Sequence, residues 1–189
     1  TTNYLTPLPI AWGDEEDRDE IRESVSAITT ALDTDAKTAR FPEAYLGNYD
    51  GELDYITYEW QTRRYPVNAE VQGDVEGGFT VQAGRSDEIS DPVMYSDDRD
   101  ARKCRAEYVH AAVDGRNVKS GEETTIPIPR SDDGVAELLN HLDDDRDRVA
   151  AANIEELEER VNEVVYDMFG ITPEEQDVIE EFLETFRVY

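Results

Sequence analysis

"TTIPIPRSDDGVAELLNHLDDDRDRV", residues 124–149, changes its periodicity halfway. Pro127 and Pro129 hold the residues before them in extended geometry, so the first six positions read as a strand. From residue 132 onward Val135, Leu138, Leu139 and Leu142 recur at helical spacing, which predicts an amphipathic helix over 132–149. A strand that runs straight into a helix needs both a sheet and a helical layer to receive it.

Upstream, residues 97–113 predict another helix. Ala101, Cys104, Tyr108 and Ala112 share one face, and Arg102, Lys103 and Arg105 lie largely off it. Before that come segments rich in aromatic and β-branched residues with Gly and Pro between them: "LDYITYEWQ" from Leu53, "YPVNAEVQ" from Tyr65 and "GGFTVQAG" from Gly77. "FPEAYLGNYDGE" reads as turns, and "DPVMY" (91–95) as a turn. Residues 14–33 predict a helix with Ile21, Val25, Ile28 and Leu32 inward. The order of helix, strands, helix, strand and helices argues an α+β fold: a small antiparallel or mixed sheet flanked by helices, with a C-terminal helical hairpin. Three segments follow: an N-terminal helix and linker (1–50), a β-rich region with a basic helix (51–130) and a helical region (131–189). "TPLPIAW" and "TIPIP" each lead from a Pro-apolar-Pro pattern into an acidic helix start, a faint echo of duplication.

Downstream, "RVNEVVYDMFGITPEEQDVIEEF" (160–182) is heavily punctuated. Asn153 and Glu156 predict a capping box. Ile154, Leu157, Val161, Val164, Val165 and Met168 form an apolar stripe. Gly170 suits a left-handed C-terminal cap, and Thr172, Pro173 and Glu175 restart the helix as N-cap, first helical residue and capping-box acid. Ile179, Phe182, Leu183 and Phe186 are expected to pack back.

The wording of this hairpin resembles the closing segment of large adenine-specific DNA methyltransferases of restriction-modification systems, especially the fused type II (type IIG) kind. Tyr166, Gly170, Thr172 and Glu174-Glu175 match that segment, while Val161-Asn162 stands for Ile-Asp and Met168-Phe169 for Leu-Tyr. Ile171 stands for Leu, and Gln176 replaces a usual apolar residue. "IPIP" (126–129) before a helix resembles the strand that closes target-recognition domains of such enzymes. The resemblance covers residues 120–185. It implies a non-catalytic C-terminal part of a restriction-modification enzyme, with double-stranded DNA and the catalytic methyltransferase region as partners. S-adenosylmethionine is the implied cofactor of the parent enzyme, and no cofactor is expected in this chain.

The catalytic signatures of that family are missing. No Gly-rich loop follows a strand to hold S-adenosylmethionine, and no Asn/Asp-Pro-Pro-aromatic tetrapeptide exists to receive a flipped adenine. No nuclease-like Glu-x-Lys occurs. His110 and His141 are isolated, and "DDDRD" (143–147) reads as a solvated acidic run.

Composition bounds the rest. The chain of 189 residues has 46 acidic and 18 basic residues, a net charge of −28. Only Lys37, Lys103 and Lys119 are lysines. Scattered acid with scarce Lys resembles halophilic archaeal proteins, whose carboxylates keep the surface hydrated in salt. The single Cys104 excludes an internal disulfide and fits a reducing cytoplasm. No run of about 18 apolar residues is present to span a membrane. The start has neither an initiator Met nor a signal-peptide pattern, which suggests a processed chain or a piece of a larger protein.

Against this acidity, residues 99–119 carry six basic and three acidic residues. A positive island in such a chain either meets an anion or pairs internally. The candidate DNA contacts are Arg63, Arg64, Arg85, Arg102, Lys103, Arg105, Arg116 and Lys119, which would neutralise phosphates or read guanine edges. Phosphate contacts weaken in salt, so a halophilic reader would lean on apolar contact as well; Tyr65, Tyr95 and Tyr108 are the aromatic candidates. The alternative is a protein-interaction module with an exposed apolar patch and internal ion pairing for the island.

Overall fold

The computed structural model describes residues 13–61 and 66–186. The fold is α+β. Its elements are α1 (Glu15–Thr38), α2 (Glu43–Leu46), β1 (Leu53–Glu59), β2 (Ala69–Gly73), β3 (Phe79–Ala83), β4 (Asp87–Ile89), a 3-10 turn (Pro92–Met94), α3 (Arg99–Val113), β5 (Glu123–Pro129), α4 (Asp132–Ala151), α5 (Ile154–Phe169) and α6 (Pro173–Phe186). Two compact units emerge. One is Thr34–Asp147, and the other gathers the described residues up to Asp33 with those from Arg148 on.

The Thr34–Asp147 unit contains both sheets. β1 pairs antiparallel with β5, from Leu53 opposite Pro129 to Glu59 opposite Glu123. Pro127 and Pro129 fall two residues apart. Both therefore occupy the same side of the ladder, where neither need donate to β1. β2, β3 and β4 form a second antiparallel sheet. α3 packs against β2, β3 and β5. Phe41, Ile56, Trp60, Val81, Tyr108, Val109, Ile126, Ile128, Val135 and Leu142 fill the core between these elements. Burying each such aliphatic side chain is worth about 1.5–3 kcal/mol.

Polar side chains fix the joints. Tyr108 donates its hydroxyl to the Pro127 carbonyl at 2.9 Å, which ties α3 to β5. Buried Asp87 accepts at Oδ1 from the Tyr58 hydroxyl (3.1 Å) and the Gln61 amide (2.7 Å), which links β4 to the end of β1. Desolvation and the Asp87 carboxylate push the Tyr58 phenol up to about 12. Asp114 accepts from the Ala69 amide at 2.9 Å, so the C-terminal end of α3 is held beside the start of β2.

Two helix faces differ from expectation. On α3 the buried residues are Arg105, Ala106, Tyr108, Val109, Ala112 and Val113, while Ala101 and Cys104 are only half-buried. The inward stripe is rotated so that it includes Arg105. On α1 the buried positions are Ser24 and Ala31, with Ile21 and Ile28 half-buried; Val25 and Leu32 are exposed.

The helical unit has the expected joint. Gly170 adopts φ 63°. The Ile171 amide bonds back to the Tyr166 carbonyl at 2.9 Å and closes a Schellman cap. Thr172 and Glu175 form the reciprocal capping box, with the Thr172 amide 2.9 Å from Glu175 Oε2 and the Glu175 amide 3.4 Å from Thr172 Oγ1. Glu155 and Glu159 at the start of α5 share a cleft with Glu180 and Leu183 late in α6, so the chain does fold back. The upstream cap differs. Asn153 is left-handed (φ 39°), makes no side-chain cap, and donates from its side-chain Nδ2 to Glu156 Oε2 at 2.7 Å. Ile179 is half-buried, but Phe182 and Leu183 remain exposed; the Phe186 side chain lies outside the described residues. The N-terminal Pro pattern lies outside them too.

Candidate nucleic-acid interface

Half of the positive island is built into the fold. Arg105 is 5% exposed. Its Nε donates to Asp132 Oδ1 at 2.6 Å, Nη1 to the Val93 and Pro129 carbonyls at 3.0 and 3.4 Å, and Nη2 to the Arg130 carbonyl at 2.7 Å. It therefore clamps α3, the 3-10 turn, the end of β5 and the start of α4 together. These bonds take four of the five N–H donors of the guanidinium, so Arg105 serves here as an internal tie. Burial opposes ionisation of Asp132, but hydrogen bonds from Ser96 and Arg105 and the Arg105 charge outweigh it, and the carboxyl sits below its usual range.

Arg102 is likewise occupied. Nε donates to the Gly77 carbonyl at 2.8 Å, and Nη1 to the Ser96 and Asp97 carbonyls at 2.6 and 3.3 Å. Gly77 has φ 85°, so the β2–β3 turn presents this carbonyl through a backbone shape that favours glycine. Arg102 differs from Arg105 in being only half-buried, and these three bonds use its Nε and Nη1. Arg116 donates to the Phe41 carbonyl and to Glu43, each at 3.0 Å, and is partly exposed. These contacts account for three of the island's six cations as internal pairing and carbonyl capture.

A smaller set stays on the surface. Arg85 lies in the β3–β4 turn and Lys119 in the segment before β5; both are exposed, and neither makes an ion pair with the described residues. Lys103 is exposed and pairs with Glu107 one helical turn away at 3.0 Å, a contact worth about 0.3–0.5 kcal/mol and easily exchanged. Arg99, which was not singled out, is exposed and sits over the Phe79 ring at 5.5 Å. Arg63 and Arg64 lie outside the described residues. α3 runs along the β2–β3 hairpin. Its Arg102 holds the Gly77 turn, and His110 near its other end lies 3.1 Å from the Ala69 carbonyl. Arg99 and Lys103 therefore lie near one end of the hairpin and Arg85 near the other. The length of α3 between them is about 22 Å for its 15 residues, roughly two-thirds of a DNA turn.

Among the described residues, cavities are lined by other side chains in each unit. One of about 120 Å³ is lined by Lys37, Tyr45, Tyr49, Glu137 and His141. Its lysine is committed to Asp145 at 2.7 Å and lies over the Tyr45 ring. The other, about 280 Å³, is the acidic α5–α6 cleft. Among the described residues no group of three or more His, Cys, Asp or Glu side chains is arranged to hold a metal, and no helix is long and apolar enough to cross a membrane.

Comparisons with protein-family models, curated proteins and solved structures found no match. Any functional reading therefore rests on the chain's own residues.

Proposed function

We propose that this chain is the non-catalytic C-terminal part of a restriction-modification enzyme that methylates adenine from S-adenosylmethionine. In this reading the sheet-bearing unit meets double-stranded DNA, and the helical unit docks the catalytic region, which binds the cofactor outside this sequence. One observation carries it. The wording of residues 160–182 supports it, with Tyr166, Gly170, Thr172 and Glu174-Glu175 matching the family's closing segment, while the caps at Gly170 and Thr172–Glu175 follow from capping chemistry alone. Arg85, Arg99, Lys103 and Lys119 are the exposed cations for phosphate contact. The acidic surface fits a cytoplasmic halophilic setting.

A second reading, a protein-interaction module, is favoured by the internal use of Arg102, Arg105 and Arg116 and by exposed Val178, Phe182 and Leu183 on α6. Selection separates the two. The chain is incubated with a random duplex pool in molar potassium chloride, and the retained DNA is sequenced. The DNA reading expects an enriched short motif whose retention falls for Arg85→Glu and Lys119→Glu. No retention by the folded chain across a salt series favours the interaction module.

A further inference from the structure

We propose that Tyr95 is a nucleobase contact, an aromatic surface set on a rigid mount beside the N-terminal end of α3; this deepens the DNA-recognition reading and rests on it. Of the three aromatic candidates, Tyr108 is buried with its hydroxyl spent on Pro127, and Tyr65 lies outside the described residues. Tyr95 is 66% exposed.

Exposure alone would mean little, but the backbone on both sides of Tyr95 is pinned. Asp91 caps the preceding 3-10 turn by accepting from the Val93 amide at 2.9 Å, and Met94 is buried in the core. Ser96 donates to Asp132 at 2.8 Å, and its carbonyl accepts from Arg102 at 2.6 Å. The Arg102 guanidinium then lies 5.5 Å from the Tyr95 ring centroid. Because Arg102 is already held by Gly77 and Ser96, it acts as a fixed plate beside the ring rather than as a cation reaching for phosphate. The ring's hydroxyl makes a long contact to Asp97, at 3.5 Å.

A preordered aromatic ring loses little entropy on binding. Stacking against a base is also insensitive to salt, unlike a phosphate contact. Asp97 at the ring's hydroxyl, in the acidic run that continues with Asp98 and Asp100, disfavours a phosphate there, so an exposed or partly unstacked base is the group the site suits.

The test uses the whole chain and a duplex enriched by the selection above, with affinity read by fluorescence anisotropy at low and molar potassium chloride. Tyr95→Ala is expected to weaken binding by about 5- to 100-fold, by the same factor at both salts, and Tyr95→Phe to restore most of that loss. Melting temperatures of the variants confirm that the fold is kept. If the wild-type chain binds DNA and Tyr95→Ala binds equally well, the inference is overturned and the DNA reading stands. An equal loss in Tyr95→Phe would assign the effect to the hydroxyl and overturn stacking. No binding by the wild-type chain overturns both.

Discussion

The sheet-bearing unit and the helical unit use the same alphabet in opposite ways. In Thr34–Asp147, charged residues are drawn inward: Arg105 and Asp87 are buried and hydrogen-bonded, and large side chains such as Trp60 and Tyr108 are sealed. In the helical unit none of the α5 residues is fully buried, and Val178, Phe182 and Leu183 of α6 face outward. One unit is completed by its own contacts. The other has its turns and caps fully specified while apolar area remains on its surface. The comparison teaches that local signals and tertiary packing are separate sources of order. The first unit depends on long-range polar clamps, and the second depends on caps.

That contrast can be broken at its strongest point. Arg105→Ala leaves Asp132 and the Val93, Pro129 and Arg130 carbonyls without their shared donor, and should cost about 3–5 kcal/mol in urea unfolding of the sheet-bearing unit. A loss under 1 kcal/mol would show that the clamp is dispensable. Next in size is Gly134→Ala. The Tyr49 and Ser131 side chains crowd the space a methyl would need and must shift, so overpacking of about 1 kcal/mol is expected, read as a lower urea midpoint.

In the helical unit Gly170→Ala strains a φ of 63° that Ala tolerates poorly, a cost of about 1 kcal/mol. It should lower helicity by circular dichroism on warming without moving the transition of the sheet-bearing unit. The smallest effect is expected for Val178→Ser, which removes an exposed side chain and should change stability by no more than about 0.5 kcal/mol. A much larger loss would mean that this α6 residue is packed.

Elements with strong local codes were legible before any coordinates. The strands at Leu53 and Thr124, the helices over 97–113 and 132–149, and the Gly170–Thr172 joint follow from periodicity and capping chemistry. β4 has three residues, and its burial of Asp87 is decided by Tyr58 and Gln61 far away in sequence. α2 is a single turn inside a stretch that reads as turns. Arg105 was misplaced because its charge put it outside, whereas positions 105, 108, 109 and 112 form the inward stripe. Asn153 looked like a cap, yet Asn also tolerates the left-handed conformation, and the short link after α4 uses that property instead.

For the interface, sequence showed that cations cluster but not which were already spent. Charge counting cannot see a carbonyl acceptor, and the acceptors of Arg102 and Arg105 lie on Gly77, Val93, Ser96 and Arg130. Only the structure separates these from Arg85 and Lys119.

The most direct measurement is the affinity of the whole chain for a selected duplex as potassium chloride is raised. Arg85, Arg99, Lys103 and Lys119, together with Arg63 and Arg64, allow at most six phosphate contacts, so binding is predicted with a log–log slope between about −3 and −5. The folded chain failing to bind duplex DNA at any salt would contradict the account.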